Sequence, residues 1–199
     1  SARHNIALLS DEIYSQFVYD GELITPADFN PHTIVIDGFS KSHAMTGSRI
    51  GWIVGPEDAI TCLVDLATNT TYGVPGFIQD AAVFALEQGP DFEEEIAAPF
   101  RRRRAIAQDV LAGQNAVSLV PAQGAMYLML DVRATGMTGD EFANALLDQH
   151  HIAVMPGESF GQAAAGHVRV ALTVDDDRLR DAVATLLDFA RERAGALQD

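Results

Sequence analysis

The stretch Phe39-Ser40-Lys41-Ser42-His43-Ala44-Met45-Thr46-Gly47-Ser48-Arg49-Ile50-Gly51-Trp52 concentrates side chains that can do chemistry. Lys41 is the single lysine among 13 Lys+Arg residues, so the other 12 are arginine. Arginine stays protonated near neutral pH, whereas a lysine amine can lose its proton and form a Schiff base. One lysine in an arginine-rich chain is also what chance survival leaves, so the count alone decides nothing. Eight residues on, Arg49 stands between Gly47 and Gly51, and a guanidinium can grip a phosphate through two parallel hydrogen bonds. Ser40 adds a hydroxyl, and the small residues let backbone approach a ligand closely. An amine, a guanidinium and a hydroxyl at this spacing suit a phosphorylated aldehyde.

Short apolar runs must deliver these groups. Ile6–Leu9, His32–Asp37 and Ile50–Val54 read as buried strands of an α/β sheet covered on both faces, each closed by polar or breaker residues. The spacing predicts helices from Pro56 to about Thr68 and from Pro75 to Gln88. A long helix is expected from about Asp91 to Leu111, with a break near Pro99. Beyond about residue 113 the pattern changes to strands at Val117–Val120, Met126–Asp131, Ile152–Met155 and Val168–Leu172, with helices at Gly139–Gln149 and Asp175–Arg193. The chain therefore divides into residues 1–112, including the connecting helix, and a small α+β domain at 113–199.

The lysine segment resembles the cofactor-lysine motif of class I/II (fold type I) aminotransferases, in which Ser-Lys is followed by small residues and Gly-x-Arg-x-Gly. Upstream, Ser10-Asp11-Glu12-Ile13-Tyr14 matches the same family's strand-end motif. Further stretches are similar: Val74–Ala82, Gly124–Tyr127, Pro156–Gly161 and His167–Val170, so essentially all 199 residues are covered. Ser48 departs from the bulky residue common at its position. Gly38 stands where many members place a phosphate-binding serine, so one such contact is expected to be missing.

The resemblance implies pyridoxal 5'-phosphate (PLP) as cofactor and a PLP-transferase large domain, mostly parallel sheet with helices, followed by a small α+β domain. It implies that Lys41 holds PLP as a Schiff base and then moves the proton from Cα. Asp11 would face the pyridine nitrogen, Tyr14 the phenolic oxygen, and Ser40 and Arg49 the phosphate. Arg169 would clamp the substrate α-carboxylate. Taken singly, each residue has a plainer use: Asp11 as a helix N-cap, Tyr14 in packing, Arg49 and Arg169 in ion pairs. His43 reads as structural or surface, without a catalytic role. As a spaced set, they favour the PLP site.

Composition narrows the rest. The net charge of -15 and the isolated run Arg101–Arg104 argue against a nucleic-acid surface. No apolar run is long enough for a membrane helix, and one cysteine, Cys62, excludes an internal disulfide. A cytoplasmic setting is expected. The chain starts directly before a strand and its first methionine is Met45. That suggests the C-terminal half of a longer protein, with little or no catalysis by this half alone. The expected reaction is amino transfer from an L-amino acid to a 2-oxo acid such as pyruvate or 2-oxoglutarate. Tyr14-Ser15-Gln16, the lysine segment and Leu130–Gly136 look most like arginine–pyruvate transaminases. A PLP-dependent carbon–sulfur lyase and an aminotransferase-like sensor domain of a transcription regulator are the alternatives. The family is typically a homodimer, which would place Asn69–Gly73 near the neighbouring site.

Overall fold

The fold comes from a computed structural model that describes residues 1–196. The last three residues of the expected small domain lie outside the described residues. The chain forms two compact units, Ser1–Ala98 and Pro99 onward.

The first unit is built on a three-stranded sheet of β1 (Leu8–Asp11), β2 (Thr33–Gly38) and β3 (Gly51–Val54), in the order β1-β2-β3. β1 runs parallel to β2, with Asp11 opposite Ile36, and β3 runs antiparallel, with Gly38 opposite Gly51. Between β2 and β3 lies the single-turn helix α1 (Phe39–Ser42). After β3 come α2 (Glu57–Thr70), α3 (Gly76–Glu87) and α4 (Pro90–Leu111), whose residues to Ala98 belong to this unit. α4 passes through Pro99 without ending. The expected break is absent, although proline removes one N–H from the helical ladder.

Packing in this unit is thin. Phe39, Ala82 and Ala85 form a small buried cluster against Met45 and Ile50. The expectation of a sheet covered on both faces does not hold among the described residues. All four residues of β3 are exposed, and so is Leu9 of β1. An apolar run reports that a strand tends to be buried, not what covers it.

The second unit carries an antiparallel sheet of β4 (Ser118–Leu119), β5 (Tyr127–Asp131), β6 (Met155–Pro156) and β7 (His167–Ala171), in the order β4-β5-β7-β6. It also holds α5 (Gly139–His150) and α6 (Asp176–Gly195). Burial alternates along β5 and β7: Leu128, Leu130, Val168 and Val170 point into a core completed by Phe142, Leu146, Val183, Leu186 and Phe189. One face is packed and the other open, as antiparallel sheets allow.

Helix ends in this unit are well specified. Thr138 accepts from the Glu141 N–H at 3.2 Å and donates its own N–H to Glu141 Oε2 at 2.9 Å, closing a capping box on α5. Glu158 Oε1 accepts from the N–H groups of Gly139 and Gly166, both at 2.9 Å, which joins the start of α5 to the turn before β7. Asp175 caps α6 by accepting from the Arg178 N–H at 3.0 Å.

Candidate active site

Strand direction brings the chemistry-bearing residues together. Parallel pairing places the C-terminal ends of β1 and β2 on one edge of the sheet, and antiparallel pairing places the N-terminal end of β3 there too. Asp11 ends β1, Gly38 ends β2 and leads into α1 with Ser40 and Lys41, and Arg49 lies two residues before β3. Tyr14 stands in the turn leaving β1, just before a short 3₁₀ turn at Ser15–Phe17. Five of the six candidate residues therefore share this edge. Ligand sites in open α/β sheets form beyond the carboxyl ends of strands for the same reason: backbone ends and side chains converge there.

Gly38 and Gly51 let the two strands approach closely at that edge. A Cβ on Gly38 would sit 2.9 Å from Gly51 Cα, and one on Gly51 would sit 2.6 Å from the Asp37 carbonyl oxygen. Either addition would force β2 and β3 apart at this point.

Each side chain has a defined local state. Asp11 accepts from the Ile13 N–H at 3.2 Å, an Asx turn in place of the helix cap that its residue type also suited. Tyr14 lies edge-on to Phe17, with centroids 6.1 Å apart. Thr46 Oγ1 donates to the Ser40 carbonyl at 2.8 Å, and Arg49 Nη1 donates to the Thr46 carbonyl at 2.8 Å. Thr46 thereby connects the turn bearing Lys41 to Arg49. Arg49 adopts a left-handed backbone, φ 53°, a conformation unusual for a non-glycine residue. Among the described residues, no hydrogen bond or ion pair holds the Lys41 amine, which is half-buried.

One residue that the sequence reading did not single out belongs to this edge. Asp37 accepts from the Gly38 N–H at 2.6 Å and from Ser15 Oγ at 3.2 Å. Burial pushes its carboxyl above the ordinary range. The two donors partly offset this, and the nearby Glu12 and Asp11 carboxylates add to it. The available signal was an acidic residue closing an apolar run next to glycine, which marks a strand end equally well.

Arg169 lies in the second unit, on the open face of its sheet, opposite Met129 and Met155. Its guanidinium carbon is 4.2 Å from the Tyr127 ring centroid and 4.6 Å from that of Phe160. Among the described residues no carboxylate pairs with it. A cation held by two aromatic faces keeps its N–H fork directed outward for an anion. The ordinary ion pair considered for this residue is not formed.

The donor set fits PLP: a free amine for an aldehyde, a carboxylate and a phenol for a heteroaromatic ring, and a hydroxyl and a guanidinium for a phosphate, all on one edge. The comparisons with known proteins point the same way. The family model for aminotransferase class I and II matches residues 1–186. The chain is 40% identical over 195 residues to an arginine–pyruvate transaminase of Pseudomonas aeruginosa, covering 96% of this chain and 50% of that one. It is 36% identical over 201 residues to an aspartate aminotransferase of Geobacillus stearothermophilus, covering 96% and 51%. Among solved structures, an aromatic aminotransferase from Pyrococcus horikoshii superposes with a TM-score of 0.88 at 30% identity, covering 96% of this chain and 53% of that one. Aspartate aminotransferase from Thermus thermophilus with maleate superposes with a TM-score of 0.87 at 32% identity, covering 96% and 49%. The chain spans about half the length of the curated relatives it matches.

Proposed function

The chain belongs to the class I and II aminotransferase family, a PLP-dependent family, and we propose that the protein it works in transfers an amino group from an L-amino acid to a 2-oxo acid. The observation that carries this reading is the convergence of Asp11, Tyr14, Ser40, Lys41 and Arg49 on one sheet edge.

Bound at that edge, PLP supplies a carbonyl for the amino acid and a ring that accepts electrons from Cα. Lys41 would hold the cofactor through its amine and would move the proton at Cα. Asp11 keeps the ring nitrogen protonated through a charge-assisted contact. Tyr14 donates to the phenolic oxygen, and Ser40 and Arg49 hold the phosphate. Arg169 clamps the substrate carboxylate and so orients the bond to be broken. In this reading residues 1–112 are part of the cofactor-binding domain and 113–199 form the small domain.

Identity to the arginine–pyruvate transaminase supports arginine as donor and pyruvate as acceptor. The protein acts as a cytoplasmic homodimer in this proposal, in line with the family's habit. Among the described residues no helix is long and apolar enough to cross a membrane. Tyr72, 89% exposed in the Asn69–Gly73 segment, is free for contact with a second copy.

Product analysis of the holoenzyme with arginine and pyruvate tests the activity. Alanine and the 2-oxo acid of arginine, formed one for one, are expected. Pyruvate, ammonia and a thiol released from a sulfur amino acid supplied without pyruvate, with no amino exchange in the arginine assay, would instead establish the lyase.

A further inference from the structure

We propose that His43 is a positioning residue for Lys41, fixing the turn that carries the lysine by joining Ser42 to Glu93. The proposal deepens the reading of Lys41 as the cofactor lysine and rests on it.

α1 is only four residues long. A single helical turn costs more to nucleate than its few hydrogen bonds return, so neighbours must hold it. His43 ends the turn and is 5% exposed. Its ring lies between Phe39, at 5.1 Å, and Phe92 of α4, at 6.0 Å. Ser42 Oγ donates to the Gly38 carbonyl at 3.3 Å and stands 2.8 Å from His43 Nδ1. A hydroxyl has one proton. A neutral imidazole has one N–H: with it on Nε2, facing Glu93, Nδ1 accepts the Ser42 proton, and with it on Nδ1 the ring donates to Ser42 Oγ. On the other side of the ring, Nε2 is 3.5 Å from Glu93 Oε1.

The result is a line of carboxylate, imidazole, hydroxyl and carbonyl running from α4 to the last residue of β2. Its contacts fall on both sides of Lys41: Gly38 three residues before, Ser42 and His43 just after. The line fixes the backbone from which the lysine amine projects. Ser42, His43 and Glu93 are not a nucleophilic triad, because Ser42 is 6% exposed and closed to a substrate.

The test compares His43→Leu, His43→Asn and His43→Gln in the protein that holds the complete site. Asn places an amide donor near the position of Nδ1, Gln one near Nε2, and Leu neither. Two quantities are read: amide hydrogen exchange of the Phe39–Thr46 segment without cofactor, and the rate at which PLP and borohydride modify Lys41. With Leu, exchange in that segment should rise about tenfold, as expected for a lost buried hydrogen bond, and Lys41 capture should slow. Asn should recover most of both effects and Gln a smaller share. Equal exchange in all three variants and the wild type, or Asn no better than Leu, overturns the proposal. If Leu unfolds the unit, seen by Trp52 fluorescence, the Asn and Gln variants decide by the same ordering. If PLP never modifies wild-type Lys41 in the protein that holds the complete site, the cofactor reading fails, and the exchange series still judges the positioning role.

Discussion

The two units solve burial differently with the same apolar vocabulary. From Pro99 onward, alternating strands lay Leu128, Leu130, Val168 and Val170 against helices, and Phe142 and Phe189 pack edge to face with centroids 5.1 Å apart. Up to Ala98, the buried apolar side chains among the described residues are Phe17, Phe39, Ala82, Ala85 and Ala97, while Leu9, Val54, Phe77 and Phe84 stand exposed. The second unit closes its own core. The first places its proposed cofactor-binding groups on a sheet whose apolar surface its own described residues leave bare.

Substitution breaks or sharpens that contrast most strongly in the cores. Phe142→Ala should cost about 3–5 kcal/mol, the usual range for emptying a packed aromatic site. Phe77→Ala, at a side chain 75% exposed, should stay within about 0.5 kcal/mol. Denaturant melts of both variants measure this, and a cost at Phe77 equal to that at Phe142 would mean the first unit is covered in solution. Next in size, Thr138→Ala opens the capping box on α5 and should cost about 1 kcal/mol.

Acid acts on the two units with opposite sign. Hydrogen bonding from Arg133 holds the Asp131 carboxyl at about 2 against an ordinary 3.8. Its stabilisation is full above the unfolded value and is lost as pH falls through about 2, so the second unit weakens between those limits. Asp37 is raised, so the folded first unit binds the proton before the unfolded chain does. Acidification toward 3.8 therefore stabilises the first unit, and that gain stops once the unfolded chain is protonated too. Trp52, the single tryptophan, reports on the first unit, and hydrogen exchange corrected for intrinsic rates reports on the second. Asp37→Asn and Asp131→Asn should each flatten only their own curve. The smallest effect is expected at the exposed Asp188–Arg191 pair, where Asp188→Ala should change stability by less than about 0.5 kcal/mol.

How much could be read in advance follows the same division. Helix limits and the alternating strands of the second unit were legible because both are written in local periodicity. β1 was not placed well: its apolar run is Ile6–Leu9, but pairing with β2 begins at Leu8 and includes Ser10 and Asp11. Strand limits follow register, which sequence does not display. Likewise β6 shrinks to Met155–Pro156, the two residues that pair with β7. Lys41 and Arg49 were legible from residue type and glycine spacing. The roles of Asp37 and His43 were not, because each depends on a partner far along the chain, Ser15 for the first and Glu93 for the second. The aromatic faces flanking Arg169 come from two separate segments, Tyr127 and Phe160, and were hidden for the same reason.

The sheet edge of the first unit is proposed as a cofactor site with Lys41 as its covalent anchor. The most direct measurement is the absorption spectrum of the protein with PLP before and after borohydride, followed by mapping of the modified peptide. A visible band that reduction fixes onto Lys41, and that Lys41→Arg abolishes, is the predicted result. A band fixed elsewhere, or none in the protein that holds the complete site, would contradict the account.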